Sequence, residues 1–346
     1  MSAKPLPTDG SGPVGLRNLP ADILSEALVR LDDPTVSDAE IVHDFRKAMK
    51  RWRAILRLLE PFLGEGGEAL RAEARDLARK LAGARDVRAA LDALADLGDD
   101  ERLSARSRAT MKARLEEIGA STEAASIPAE MRDRLKNALS FAAEAARRWP
   151  YERIGFEEIA DELAGSYRRT RDSVPEDWSA ADAAALHELR KRVVAHRHQM
   201  ELVVPLWPKV GKVWVNEAQR LRDRLGHHQD LDVLARLAAP HQPLAPWRSR
   251  LVPLIAERQR AHVAAAGRLA GRLFAEKPRA FRRRLIALWE HRADGSMADD
   301  EPAANPVIKP VTGPVAKPVA KSKPVAKPVT SPARAKKSAA AEPRRS

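Results

Sequence analysis

A stretch near the start of the chain returns without a gap in its second half, and charged positions return with the apolar ones. Val42–Leu63 is matched by Leu186–Trp207, so that His43 falls on His187, Arg46 on Arg190, Lys47 on Lys191, Arg53 on Arg197 and Pro61 on Pro205. The register runs on beyond both prolines. Glu73 and Ala74 meet Glu217 and Ala218, Leu77 and Leu81 meet Leu221 and Leu225, and Asp86 meets Asp230. Any fold of this chain must therefore house two copies of one unit. A core requires only apolar positions to recur, so recurring cations point to function.

The repeated unit is helical by its periodicity. In the first copy Val42, Phe45, Met49, Trp52, Leu56 and Leu59 step by three and four, an apolar stripe. Leu186, Leu189, Val193, Met200, Val203 and Leu206 partly reproduce it. Ser37-Asp38-Ala39-Glu40 has the form of a capping box, and Ser179-Ala180-Ala181-Asp182 is a similar start before the second copy. Pro61 and Pro205 are expected to bend or end each helix. A second helix follows in both copies, over about 68–81 and 211–225. Further helices are expected near 84–97, 104–118, 128–149, 154–173, 231–237, 252–274 and 278–291. No segment has the alternation of a strand, and aromatics make up only 4% of the chain, so the expectation is all-α.

Residues 1–15 are polar with Pro and Gly and are expected to be disordered. After about residue 293 the composition changes to Pro-Val-Ala-Lys-Pro units, which forbid a helix and leave too little apolar surface for a core. The expectation for 293–346 is an extended, disordered basic tail of Pro, Lys and Ala.

Charge must be read with this division in mind. A net charge of +13 and a pI near 10.2 imply an anionic partner. Residues 301–346, however, hold ten Lys/Arg against two Glu, so most of the excess belongs to the tail. A site in the body must be a local concentration. The chain has no cysteine, which excludes disulfides and thiolate metal sites. It shows neither an apolar leader nor a bilayer-length apolar run, so a soluble, cytoplasmic protein without membrane contact is expected.

On a helical wheel the first copy carries a second stripe: His43, Arg46, Lys50, Arg53 and Arg57, flanked by Lys47 and Arg51. It sets five nitrogen-bearing groups along roughly 21 Å. Like charges at this spacing repel and weaken a helix, and Asp44 and Glu60 are too few to neutralise them. A solvated helix face is the plain alternative, but such a face need not preserve His-x-x-Arg-Lys twice. The second copy is poorer. Val194 and Ala195 stand for Lys50 and Arg51, and Glu201 for Arg57, with His196 and His198 expected to compensate if the local field protonates them.

His43 and His187 admit four roles: metal ligand, general base, structural cap or phosphate donor. A metal would want a His-x-x-x-His or Glu-x-x-His companion and would be repelled by the neighbouring cations. A base would want a nucleophile, and no Gly-x-Ser-x-Gly element is present. Arg46 and Lys47 beside the histidine favour the donor role. Asp86 and Asp230 read as caps or arginine partners. Ser166-Tyr167-Arg168-Arg169-Thr170-Arg171 and Arg282-Arg283-Arg284 are further basic segments. Walker A, Rossmann and zinc-finger patterns are absent, and no cofactor is expected.

The repeated His-x-x-Arg-Lys resembles the CHAD domain, the conserved histidine α-helical domain. Ala84-Arg85-Asp86-Val87, the segment from Ser166 to Arg171, Gln229-Asp230-Leu231-Asp232-Val233-Leu234 and Arg272–Phe281 with Leu288-Trp289 add to the likeness. It spans about residues 16–292, with repeat halves of about 16–150 and 151–292. The resemblance implies two pseudo-symmetric four-helix bundles and basic residues lining a groove that binds inorganic polyphosphate, on polyphosphate granules. It assigns that role to His43, Arg46, Lys47, Lys50, Arg53, Arg57, His187, Arg190, Lys191 and Arg197, with Arg168, Arg169 and Arg171 next. The Glu-x-Glu-x-Lys motif of the triphosphatase domain fused in many relatives is absent, so no enzymatic activity is expected. The competing expectation is a nucleic-acid or nucleoid-binding protein acting through the tail, with DNA as partner.

Overall fold

The computed structural model describes residues 18–81, 85–123 and 127–291. The expectations for 1–15 and for 293–346 lie outside the described residues, as does Ala84. The described residues form eleven α-helices and no strand. They are α1 (Asn18–Asp32), α2 (Asp38–Leu63), α3 (Glu65–Lys80), α4 (Arg85–Asp96), α5 (Ala105–Glu123), α6 (Ala129–Arg147), α7 (Phe156–Arg171), α8 (Ala183–Met200), α9 (Pro208–Leu237), α10 (Arg248–Leu273) and α11 (Pro278–Glu290). No described helix is long and apolar enough to cross a membrane.

The repeated segments are α2 and α8, and they pack on one another. The Ser37 hydroxyl accepts from the Glu40 amide at 3.4 Å while the Ser37 amide donates to the Glu40 carboxylate at 3.1 Å, completing the expected box ahead of α2. Ahead of α8 the cap is instead Asp182, which accepts from the Ala185 amide at 2.7 Å; Ser179 is occupied with Asp177. Pro61 lies within the last turn of α2, where it removes the amide that would bond the Arg57 carbonyl, and the helix ends two residues later at Leu63. Pro205 falls in a 3₁₀ segment, Glu201–Leu206, that follows α8.

Only Gly64 separates α2 from α3, and its φ of 57° lies in the left-handed region that favours glycine. This turn folds α3 back along α2. In the second half α9 runs unbroken through the expected interruption at Gly226. That glycine is buried against Arg190, whose guanidinium would stand 3.3 Å from an added Cβ. What reads as a helix breaker is a space for an arginine.

Two apolar clusters form the interior. The larger gathers α1, α2, α3, α6, α7, α8, α11, the first part of α9 and the last part of α10. The smaller joins α4 and α5 to the second part of α9 and the first part of α10. Each cluster takes residues from both sequence halves, and α9 and α10 run through both. A polar tie reinforces the smaller one: Asp96 on α4 pairs with His262 at 2.6 Å and with Arg258 at 2.9 Å, both on α10.

The α2 stripe is buried at Phe45, Met49, Trp52, Leu56 and Leu59, with Ile41 rather than Val42 at its start. In α8 the position matching Trp52 is His196, fully buried among Tyr167, Phe274 and Phe281. Neither of its ring nitrogens has a hydrogen-bond partner, and burial depresses its pKa to about 3. His198 is also buried, and burial holds it below its ordinary value despite Glu201 at 3.3 Å. The expected compensation by these two histidines therefore fails: His196 is a core residue.

Because the folded pKa of His196 lies below the unfolded one, the unfolded chain takes up a proton below about 6.5 that the folded ring refuses, and stability falls as pH drops from there toward 3. His196→Leu is expected to hold or raise stability at pH 7. It should also remove up to about 1.4 kcal/mol per pH unit of acid-side loss. Urea melts at several pH values test this, and an unchanged acid slope would contradict it.

Candidate functional site

Along α2 the cationic stripe passes from solvent into the body. His43, Lys47 and Lys50 are exposed, Arg46 is half-buried and donates to the Leu81 carbonyl at 3.2 Å, and Arg53 and Arg57 are half-buried beyond it. The Gly64 turn brings Arg71 and Arg75 of α3 alongside this deeper end. Burial, then the charges of Arg57, Arg75 and Arg71, hold Arg53 below its ordinary pKa. Burial, then Arg71 and Arg169, do the same to Arg57, only partly offset by Glu60 and Glu188. The Arg53 Nε is buried without a hydrogen-bond acceptor. Five guanidiniums from α2, α3 and α7 thus act on one another. Two of the five are paired, Arg71 with Glu60 and Arg75 with Asp76 at 3.7 Å, whereas Glu188 pairs with Lys191 and Arg192 outside the cluster.

The second stripe is largely answered from within. Arg197 pairs with Glu201 at 3.2 Å, and the same carboxylate meets Arg51 at 3.5 Å. Lys191 is exposed and pairs with Glu188 at 3.3 Å. Arg190 and His187, at the other end of α8, share one partner on α9, Gln229. In the third basic segment Arg168, Arg169 and Arg171 are exposed, and Arg171 also donates to the Phe274 carbonyl at 3.1 Å. Arg282 pairs with Asp161, and Arg284 with Glu276 at 2.9 Å. Among the described residues no group of three or more His, Cys, Asp or Glu converges on a metal site.

The profile of the CHAD domain matches residues 22–239, more than half of the chain. The chain belongs to the CHAD domain family. None of the curated proteins compared with it matches. The crystal structure of the CHAD domain from the plant Ricinus communis is 19% identical over 83% of this chain and 96% of that chain, with a TM-score of 0.47.

Within this CHAD domain the structure brings Arg53, Arg57 and Arg169 of the expected set together, and His187 with Arg190. It adds Arg71 and Arg75, which the sequence reading passed over. Their i,i+4 spacing was visible, but their relevance depends on α3 folding back on α2 through one glycine. The matching positions in α9 are Val215 and Gln219, so the second half has no such pair.

Like charges gathered around the half-buried Arg53 and Arg57 should strain the fold. Arg53→Met with Arg57→Met, which keeps most of the apolar stem, is expected to raise stability by ~0.5–1 kcal/mol at low salt. The gain should shrink as salt screens the repulsion. Denaturant melts at two ionic strengths check this, and a loss of stability at low salt would contradict it.

Proposed function

We propose that this CHAD domain protein binds inorganic polyphosphate without turning it over, and that it does so chiefly through its first repeat. The observation that carries the reading is the five-guanidinium cluster on α2, α3 and α7, in which burial and mutual repulsion destabilise Arg53 and Arg57 in their charged form. A chain of phosphates supplies negative charge at regular spacing, which relieves that repulsion and satisfies open donors such as the Arg53 Nε. The exposed row of His43, Lys47 and Lys50 continues the path along α2 toward solvent. In the second repeat Arg190 and His187 form a smaller contact, while Arg197 pairs with Glu201 through a terminal nitrogen and keeps an Nε that, like that of Arg53, is buried without an acceptor. Association with polyphosphate granules in the cytoplasm follows as part of this proposal, as does the division into two pseudo-symmetric bundles.

A second reading rests on the ten Lys/Arg in residues 301–346: the tail offers DNA a sequence-independent, salt-sensitive contact. Competition between DNA and long polyphosphate at matched phosphate concentration and salt separates the two.

Arg57→Ala with Arg169→Ala is expected to weaken polyphosphate binding by about tenfold or more, a loss of ~1.4 kcal/mol or greater, and to flatten its salt dependence. Arg197→Ala should change affinity by less than about threefold. Titration calorimetry on the full chain reads both; equal losses in the two variants would contradict the asymmetric site. Phosphate release from polyphosphate with divalent metal present would contradict the absence of turnover.

A further inference from the structure

Gln229 stands between two residues of the second repeat's cationic set and touches both. Its side-chain amide meets a guanidinium nitrogen of Arg190 and the Nδ1 of His187. The chemistry of the three groups leaves one arrangement. A guanidinium has only donors, so Arg190 must face the amide oxygen. The amide nitrogen, which has only donors, then faces His187, and Nδ1 must accept. The ring proton therefore belongs on Nε2. This assignment follows from what each group can donate or accept, independently of how the amide is drawn.

We infer that Gln229 is a positioning residue, fixing His187 as an Nε2–H donor and holding Arg190 beside it, so that the two form a preset hydrogen-bonding pair for a phosphate oxygen. The ligand in this inference rests on the polyphosphate reading; the tautomer does not. Two local features support the arrangement. The bare face of Gly226, one turn before Gln229 on α9, leaves room for the Arg190 guanidinium, which would lie 3.3 Å from an added Cβ. His187 is half-buried, with Nδ1 turned to α9, so Nε2 is the nitrogen left to serve a ligand. In the first repeat the register position of Gln229 is held by Arg85, which has no acceptor to offer. The two repeats thus differ in device: a crowd of arginines in one, an oriented histidine–arginine pair in the other.

The test is a nitrogen-15 spectrum of the histidine rings in the full chain, assigned with a His187→Asn variant. The wild type should show His187 with Nδ1 unprotonated and Nε2 protonated. Gln229→Glu, whose carboxylate accepts from both neighbours, should move the proton to Nδ1. Arg190→Met, which removes the group that orients the amide, should give a mixture; it keeps the inference testable should Gln229→Glu fold poorly. A wild-type ring already protonated at Nδ1, or a tautomer indifferent to both substitutions, would overturn the inference. Long polyphosphate is then added. A shift of the Nε2–H resonance supports the ligand. A correct tautomer with no shift would overturn the phosphate role of this pair, while the positioning by Gln229 would stand.

Discussion

The crossing of α2 and α8 is the contact on which the rest of the domain is arranged. Gln199 of α8 is fully buried and donates to the Ala54 carbonyl of α2 at 3.0 Å. Two residues on, Glu201 meets Arg51 of α2 as well as Arg197 of its own chain segment. The two helices pack on one another with buried apolar residues and these polar ties, so each copy of the repeat covers the other. Each is then left one face for its own follower, α3 beside α2 and α9 beside α8. The followers decide what the cations do. α3 adds Arg71 and Arg75 to the first stripe, whereas α9 answers the second with Gln229.

This division explains why one duplicated pattern yields two unlike surfaces. Repulsion among half-buried guanidiniums is unfavourable, and a fold tolerates it only where packing elsewhere is sufficient. Here the surrounding interior is continuous: Trp52 stacks on Trp149 with ring centroids 5.4 Å apart, and Leu56 and Leu59 are fully buried beneath the stripe. In the second copy His196 takes the place of Trp52, leaving two buried ring nitrogens without partners in the core. A Glu in place of Arg57 relieves the charge there. The first repeat keeps its strain on the surface as charge, and the second keeps a smaller one inside.

Much of the fold was legible in the chain itself. The spacing of Phe45, Met49, Trp52, Leu56 and Leu59 announces a helix with one buried face, and Ser37 with Glu40 announces where it begins. Local pattern was less informative where tertiary packing decides. Gly226 reads as a break until Arg190 is seen against it, and His196 reads as a cation until its burial among aromatic rings is known. Arg71 and Arg75 carry no mark in sequence that separates them from Arg79 on the same helix. Their importance comes from the Gly64 turn, which places them beside Arg53 and Arg57. The cationic stripe on α2 could be read from spacing and Arg169 from the family resemblance; the depth of the stripe could not.

The most direct measurement is a structure of the protein with a bound phosphate chain. The account predicts phosphates over Arg53, Arg57, Arg71, Arg75 and Arg169, continuing along the exposed side of α2 past Lys50. Phosphates confined to α8 or to other basic surfaces, with this cluster left unbound, would contradict it.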